Sequence, residues 1–364
     1  MGRGMNSIKN VFSAAAAAGI VIFLVFAAGC SGDLLGYIKD MIAQGEYIGI
    51  ELPKTGQTTS YLTGDDGDLR MGVAWPAVQR FTVGTGAETG CITDNLTGLM
   101  WERVPLGTLR NWTEALTYAD GLPLGGHSDW RLPNRKELRS LVNYEEADNR
   151  TWLNGQGFAD LQEGYYWSST TYAAGISGAW LVSMSNGTVG VSTKTTNCYV
   201  LAVRSGQAGG TVSLPRTGQT IMEEPGDDGD LEKGVAWPSP RFEDTGDGTI
   251  CDKLTGLMWE RVPSGIANWE GALSYANNLV IGGNSDWRLP NVNELESLIN
   301  ASQADSAAWL VGQGFSGVQD SYYWSSTTYA PDTSLVWDVY LKVGSVGGSL
   351  KASNLYVLAV RGGQ

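Results

Sequence analysis

Four blocks of sequence occur twice in this chain, in the same order. LTGLMWERVP stands at 96–105 and 254–263, SDWRLPN at 128–134 and 285–291, YYWSSTTYA at 165–173 and 322–330, and YVLAVR at 199–204 and 356–361. The first block is offset by 158 residues and the other three by 157. A chain that repeats itself in this way folds the same unit twice, and the period is too long for one turn of a solenoid. The repeats divide the chain into copy one at 51–206 and copy two at 213–364. Between them, Ser205–Val212 (SGQAGGTV) is small and glycine-rich, so 207–212 reads as a linker.

The segment ahead of the repeats reads as an export signal. Arg3 and Lys9 precede an apolar run, Val11–Gly29, which ends in small residues and then Cys30. The end of the run resembles a bacterial lipobox, with Ala27 where Leu is usual. Residues 1–29 are therefore expected to be a signal peptide and Cys30 to be lipidated. Ser31 after the cysteine resembles outer-membrane sorting. An uncleaved membrane anchor is the alternative, because the run is near spanning length. Either reading places the repeats outside the cytoplasm, lipid-anchored at a bacterial outer membrane or cell surface in the first case. Residues 30–50 form a tether in which Leu34, Leu35, Ile38, Met41 and Ile42 are spaced for a short amphipathic helix.

The repeats themselves read as compact and loop-rich. The chain has 49 Gly and 14 Trp, with only 17% charged residues, which points to the α+β class. It carries 24 basic and 38 acidic residues, so a broad basic surface for nucleic acid is not expected. Asn111 and Glu114 predict a capped helix that buries Trp112, Ala115, Leu116 and Ala119. Asn134 and Glu137 predict a second, with Leu138, Leu141 and Val142 inward; Asn291, Glu294, Leu295, Leu298 and Ile299 repeat it. Strands are expected at 179–184, 188–192 and 199–203, with Asn186-Gly187 as a hairpin turn.

The repeated motifs carry a resemblance. DNLTGLMWER, SDWRLPN followed by EL and SL, YYWSSTTY and YVLAVR resemble the Lcl C-terminal domain family, in both copies. The RLPN-x-x-EL pattern with the closing VRGG (Val360–Gly363) also looks like the formylglycine-generating branch of C-type-lectin-like folds. The resemblance implies two tandem C-type-lectin-like domains, each with two helices packed on small antiparallel sheets and long loops. The family's namesake is a surface adhesin for sulfated glycosaminoglycans, which implies adhesin-like binding here. Trp101, Trp130 and Trp167 recur as Trp259, Trp287 and Trp324 and suit a core role. Arg131 and Glu137 are placed to pair, and Arg204 to play a similar buried part.

Catalysis is not expected. The only histidine, His127, is replaced by Asn284 in copy two, so no imidazole-based nucleophile or metal site is repeated. The cysteine pair that holds copper in the formylglycine-generating oxidases does not recur. Of the three cysteines after Cys30, Cys91 and Cys198 are expected to form a disulfide and Cys251 to stay unpaired; the alternative is three small buried side chains. Calcium is the one cofactor entertained. GDDGDL supplies Asp65, Asp66, Asp68 and again Asp227, Asp228, Asp230, and EDTGDGT supplies Asp244 and Asp247. Solvated acidic turns are the alternative, since no EF-hand glutamate follows. LPKTG at 52–56 and LPRTG at 214–218 mimic a sortase signal but open each copy, and read as extended entry segments.

Two surfaces remain for ligand binding. Arg135, Lys136 and Arg139 form the one basic cluster that could meet a sulfated glycan; copy two has Val292, Asn293 and Glu296 there. Copy one carries 12 basic and 16 acidic residues and copy two 9 and 19, so copy one is the less repulsive. The loops after YYWSSTTYA diverge: Ala174, Gly175, Ile176 and Ser177 against Pro331, Asp332, Thr333 and Ser334. The expected function is a surface-anchored, non-catalytic, adhesin-like lipoprotein, held to the membrane by its lipid and binding an extracellular glycan or protein. The alternative is a structural or assembly component of the envelope acting through protein–protein contacts.

Overall fold

The computed structural model describes residues 49–206 and 209–362. The expected signal peptide, Cys30 and the expected helix of the tether lie outside the described residues. Among the described residues no helix is long and apolar enough to cross a membrane.

Both copies form an α+β unit in the same order. Copy one has a one-turn helix α1 (Asp66–Leu69), strands β1 (Phe81–Val83), β2 (Cys91–Asp94) and β3 (Leu99–Glu102), and helices α2 (Trp112–Asp120), α3 (Arg135–Arg139) and α4 (Asn149–Gly155). Strands β4 (Tyr165–Thr171), β5 (Gly178–Ser183), β6 (Val189–Thr193) and β7 (Val203–Ser205) complete it. Copy two repeats this with α5 (Asp228–Leu231), β8 (Phe242–Asp244), β9 (Thr249–Asp252), β10 (Met258–Glu260), the additional β11 (Gly265–Ala267), α6 (Trp269–Asn278), α7 (Val292–Ser297) and α8 (Ser306–Gly312). It ends with β12 (Tyr322–Thr328), β13 (Leu335–Tyr340), β14 (Ser345–Leu350), β15 (Leu355–Val357) and β16 (Val360–Arg361).

The helices form where their caps dictate. Asn111 accepts from the Glu114 amide at 3.0 Å, and the Glu114 carboxylate accepts from the Asn111 amide at 3.2 Å, closing a capping box. Trp112, Ala115, Leu116 and Ala119 are then buried together. Asn134 and Glu137 close a second box at α3, and Glu137 also receives two 2.6 Å bonds from Arg131. Helix α3 stops at Arg139 and a turn carries Leu141 and Val142 inward, so the expected helix is shorter than its apolar spacing implied. The one-turn α1 and the fourth helix, α4, lie outside the two helices expected. In α4 the periodicity is weak: its seven residues hold too few apolar positions to show a period, and its visible signal is the Asp148 cap on Thr151.

Each copy has a small antiparallel sheet, β1-β2-β3-β7 in copy one and β8-β9-β10-β16 in copy two. The hairpins of the two copies join in one sheet of order β11-β15-β12-β13-β14-β6-β5-β4, through the pair Val346↔Val189. The expected strand at 199–203 is reduced to a bridge from Tyr199 to Tyr166, followed by β7. Gly187 closes the β5–β6 turn at φ 81°, and an added Cβ would lie 2.7 Å from Val142, so only glycine fits.

The core is shared. One apolar cluster runs through both copies, from Leu138, Leu141 and Val182 to Leu295, Leu298 and Val339, while two smaller clusters form around Trp112 and Trp269. The entry segments cross between copies. Gln57, ahead of copy one's first strand, donates from Nε2 to the Thr328 carbonyl and accepts on Oε1 from the Thr328 amide, both at 2.9 Å. Gln219 does the same to Thr171 at 3.0 and 2.8 Å. Each glutamine amide thus stands in for a peptide group at the end of the other copy's strand.

The charged contact between copies lies beside this crossing. Glu296 of α7 accepts from Arg135 at 2.8 Å and from Arg139 at 3.0 Å, all three side chains being buried. Removing one partner from such a group leaves buried charge uncompensated, which typically costs about 3–5 kcal/mol. Glu296→Gln is therefore expected to lower unfolding stability by about that amount, measured by urea denaturation. Because the copies share a core, wild-type residues 49–364 are expected to unfold in one transition by both far-UV and tryptophan signals. Two separated transitions would show that the copies are independent.

Candidate functional site

The carboxylates of the paired GDDGDL loops, the calcium candidates, are each engaged in hydrogen bonds within the protein. Asp65 caps α1, accepting from the Asp68 amide at 2.9 Å and from Tyr61 at 2.6 Å; Asp227 caps α5 in the same way. Asp68 and Asp230 accept from the Gly64 and Gly226 amides, both at 2.8 Å. Asp66 is buried and accepts the hydroxyls of Thr55 and Thr327, both at 2.7 Å. Asp228 accepts those of Thr217 at 2.6 Å and Thr170 at 2.8 Å. One threonine comes from each copy, so each aspartate ties an entry segment to the opposite hairpin. Asp244 pairs with Arg261 at 2.9 Å, and Asp247 is held by Thr245 and Thr249. Among the described residues no group of three or more His, Cys, Asp or Glu side chains is arranged to hold a metal ion.

The basic cluster is corrected too. Arg135 and Arg139 are not a glycan-facing helix surface: they are buried against Glu296, Gly344 and Gly187, at the contact between copies. Lys136 has its stem half-exposed and its ammonium enclosed. The expected disulfide is absent. Cys91 and Cys198 are free thiols buried in the same apolar cluster around Trp112, and Cys251 is also free. Arg131 pairs with Glu137 as expected, but Arg204 is only partly buried and pairs with the exposed Asp129 at 2.7 Å. His127 sits beside Glu88 at 3.0 Å on the surface.

The divergent loops do face solvent. Ala174, Ile176 and Ser177 are exposed with Gly175 half-buried, and Pro331–Ser334 is exposed throughout. Asp332 turns back on its own loop, accepting from the Ser334 amide at 3.0 Å and hydroxyl at 2.7 Å, which holds its carboxyl below the ordinary range.

Beside the first of these loops lies a shallow groove of about 490 Å³ along β5 and β6. Leu181, Gly190 and Cys198 form its floor, Leu109, Tyr165 and Val191 its walls, and Ser192, Thr196 and Asn197 a polar rim. The loop is tied to the residue that follows β6, where the Lys194 amide donates to the Ser177 carbonyl at 2.8 Å. Leu109 and Tyr165 are each nearly half exposed. In copy two the corresponding face differs in chemistry. Tyr322 stacks on Tyr340 at 4.6 Å, and Asp338 replaces Leu181. Burial pushes the Asp338 carboxyl up to about 6, the Ser349 hydroxyl pulling the other way. The sequence reading passed over these residues. Alternation within YYWSSTTY would have found Tyr165 and Tyr322, since their neighbours Tyr166 and Tyr323 point into the core.

The family model described as the Lcl C-terminal domain matches residues 90–204 and 248–361, so the chain belongs to that family. No curated protein matches it.

Burial is the main reason that Asp66 and Asp228 are both pushed up to about 7; the threonine hydroxyls oppose it, while the like charges of Glu294 and Glu137 add to it. Each carboxyl therefore holds its proton more tightly folded than unfolded. Their stabilising contribution is complete below pH about 4 and is lost as the pH rises through 7. Thermal unfolding is accordingly expected to show a melting temperature that falls between pH 5 and 8, with the slope reduced in Asp66→Asn/Asp228→Asn. An unchanged slope in the double variant would remove these aspartates as its cause.

Proposed function

We propose that this chain, a member of the Lcl C-terminal domain family, is a lipid-anchored envelope protein that binds an extracellular ligand without transforming it. The outer groove of copy one carries the reading. It combines an exposed tyrosine, aliphatic walls and a rim of hydroxyl and amide groups, bordered by a loop that differs between copies on an otherwise repeated frame. An aromatic face beside small polar groups suits the alternating apolar and hydroxylated surfaces of a sugar, or an extended polypeptide. The burial of Arg135 and Arg139 removes the basic patch that a sulfated glycan would need, so the ligand is taken to be weakly charged or neutral. Two unlike surfaces on one chain add avidity when both reach one target. The acidic balance argues against nucleic acid as the partner. Anchoring through Cys30 holds the groove at the cell surface.

The test is binding of soluble residues 31–364, with Cys30→Ser, to a panel of glycans and matrix proteins, with and without Ca²⁺. Saturable, calcium-independent binding is expected. It should weaken about tenfold in Tyr165→Ala, the usual scale for an aromatic anchor, and change selectivity when 174–177 is exchanged for 331–334. No binding to any member, together with copurification of an envelope protein, would favour a structural role instead.

A further inference from the structure

The outer groove of copy one combines two chemistries, and copy two repeats only one of them. The polar rim recurs: Tyr165, Ser192, Thr196 and Asn197 correspond to Tyr322, Ser349, Ser353 and Asn354, each 157 residues further on. The aliphatic lining does not. Asp338 stands in place of Leu181, and Gly348 in place of Val191. In copy one Leu109, Tyr165 and Val191 are exposed, and so are Thr196 and Asn197, so both chemistries are open to a ligand. Among the described residues no charged side chain lines the groove. Lys194, just past β6, is turned onto the Trp112 ring at 3.8 Å. A neutral ligand is the complement of such a surface.

Strand β5, which carries Leu181, is paired on both sides, with β4 and with β6. A polypeptide lying over it finds no free main chain to extend, so recognition falls to the side chains. A plain hexose satisfies Tyr165 and the rim but leaves the aliphatic lining uncovered. An acetamido group answers both: its methyl is apolar, and its N–H and C=O complement the carbonyl and NH₂ of the Asn197 side chain. We propose that this groove binds a sugar carrying an N-acetyl group, with a ring face on Tyr165, the methyl against Leu109, Leu181 and Val191, and the amide at Asn197. The proposal rests on the ligand-binding reading of the groove given above and names the ligand class. The groove's volume of about 490 Å³ lies within the range of roughly 300–1,000 Å³ usual for small-molecule sites. Copy two keeps the rim but sets the Asp338 carboxyl where the methyl would lie, and an apolar group there leaves that carboxyl without a partner. The acetylated sugar is therefore taken by copy one alone.

The test is calorimetric titration of the full-length chain, in detergent micelles, with the N-acetylglucosamine trimer of chitin. The glucose trimer of cellulose and the deacetylated chitin trimer are the comparison ligands. One acetylated trimer per chain is expected to bind, about tenfold or more tighter than either comparison, the usual scale for a methyl group in an apolar pocket. Added salt should leave its affinity unchanged. Leu181→Asp, which copies the floor of copy two, and Asn197→Ala should each remove the preference for the acetylated trimer. Asn197 is exposed, so its variant decides the matter if Leu181→Asp fails to fold. Equal binding of the acetylated and glucose trimers overturns the acetyl assignment and leaves sugar binding at the groove standing. Binding of no trimer also overturns the assignment, and the wider panel of glycans and matrix proteins then judges the binding reading separately. A preference that survives Asn197→Ala overturns it as well.

Discussion

Glu296 sits where the two halves of this molecule touch, and most of what is particular to the fold follows from what it neutralises. Without it, Arg135 and Arg139, one turn apart on α3, would be two buried like charges with no carboxylate to answer them from α7. With it, the two helices close together. Val189 and Val346 can then pair, and the hairpins of both copies become one sheet. The crossing glutamines and the threonine-held aspartates complete the same contact from the entry segments. What looks in sequence like two beads on a string is one body with a common interior.

The legible part of this architecture was what local chemistry determines. Asn111–Glu114 and Asn134–Glu137 announced their helices because capping boxes are satisfied within four residues. The repeated tryptophans announced a core because nothing else in a small domain accommodates so much apolar surface. The illegible part was long-range. GDDGDL reads as a loop of metal-seeking carboxylates unless it is known that Thr327 and Thr170 approach from the opposite copy. Arg135 and Arg139 read as a basic face because their partner lies 157 residues or more away in the chain. The divergence of the copies at these positions was itself the missing signal. Val292 and Glu296 replace Arg135 and Arg139 because the two sites are complementary.

The outer faces follow a different logic from the interface. There the copies are free to drift, and they have drifted towards unlike chemistry on the same frame: leucine beneath one groove, a buried aspartate at the same place in the other copy. Loops 174–177 and 331–334 vary over the same hairpin. A scaffold whose interior is pinned by cross-copy contacts can tolerate such variation at its rim, because little of the fold's stability depends on those residues.

Arg139 and Glu296 occupy equivalent positions in the repeat, and they meet each other. That is a signature of an approximate two-fold axis, near which every residue faces its own counterpart. In an assembly of two identical chains the same place would hold two arginines or two glutamates, and either pair would repel. Joining the halves in one polypeptide lifts that prohibition. Duplication therefore gave this molecule more than a second copy of one unit: it allowed the symmetry axis itself to become polar, with a donor on one side and an acceptor on the other. Such a pairing fixes which half answers which, and neither half could reproduce it by associating with a replica of itself.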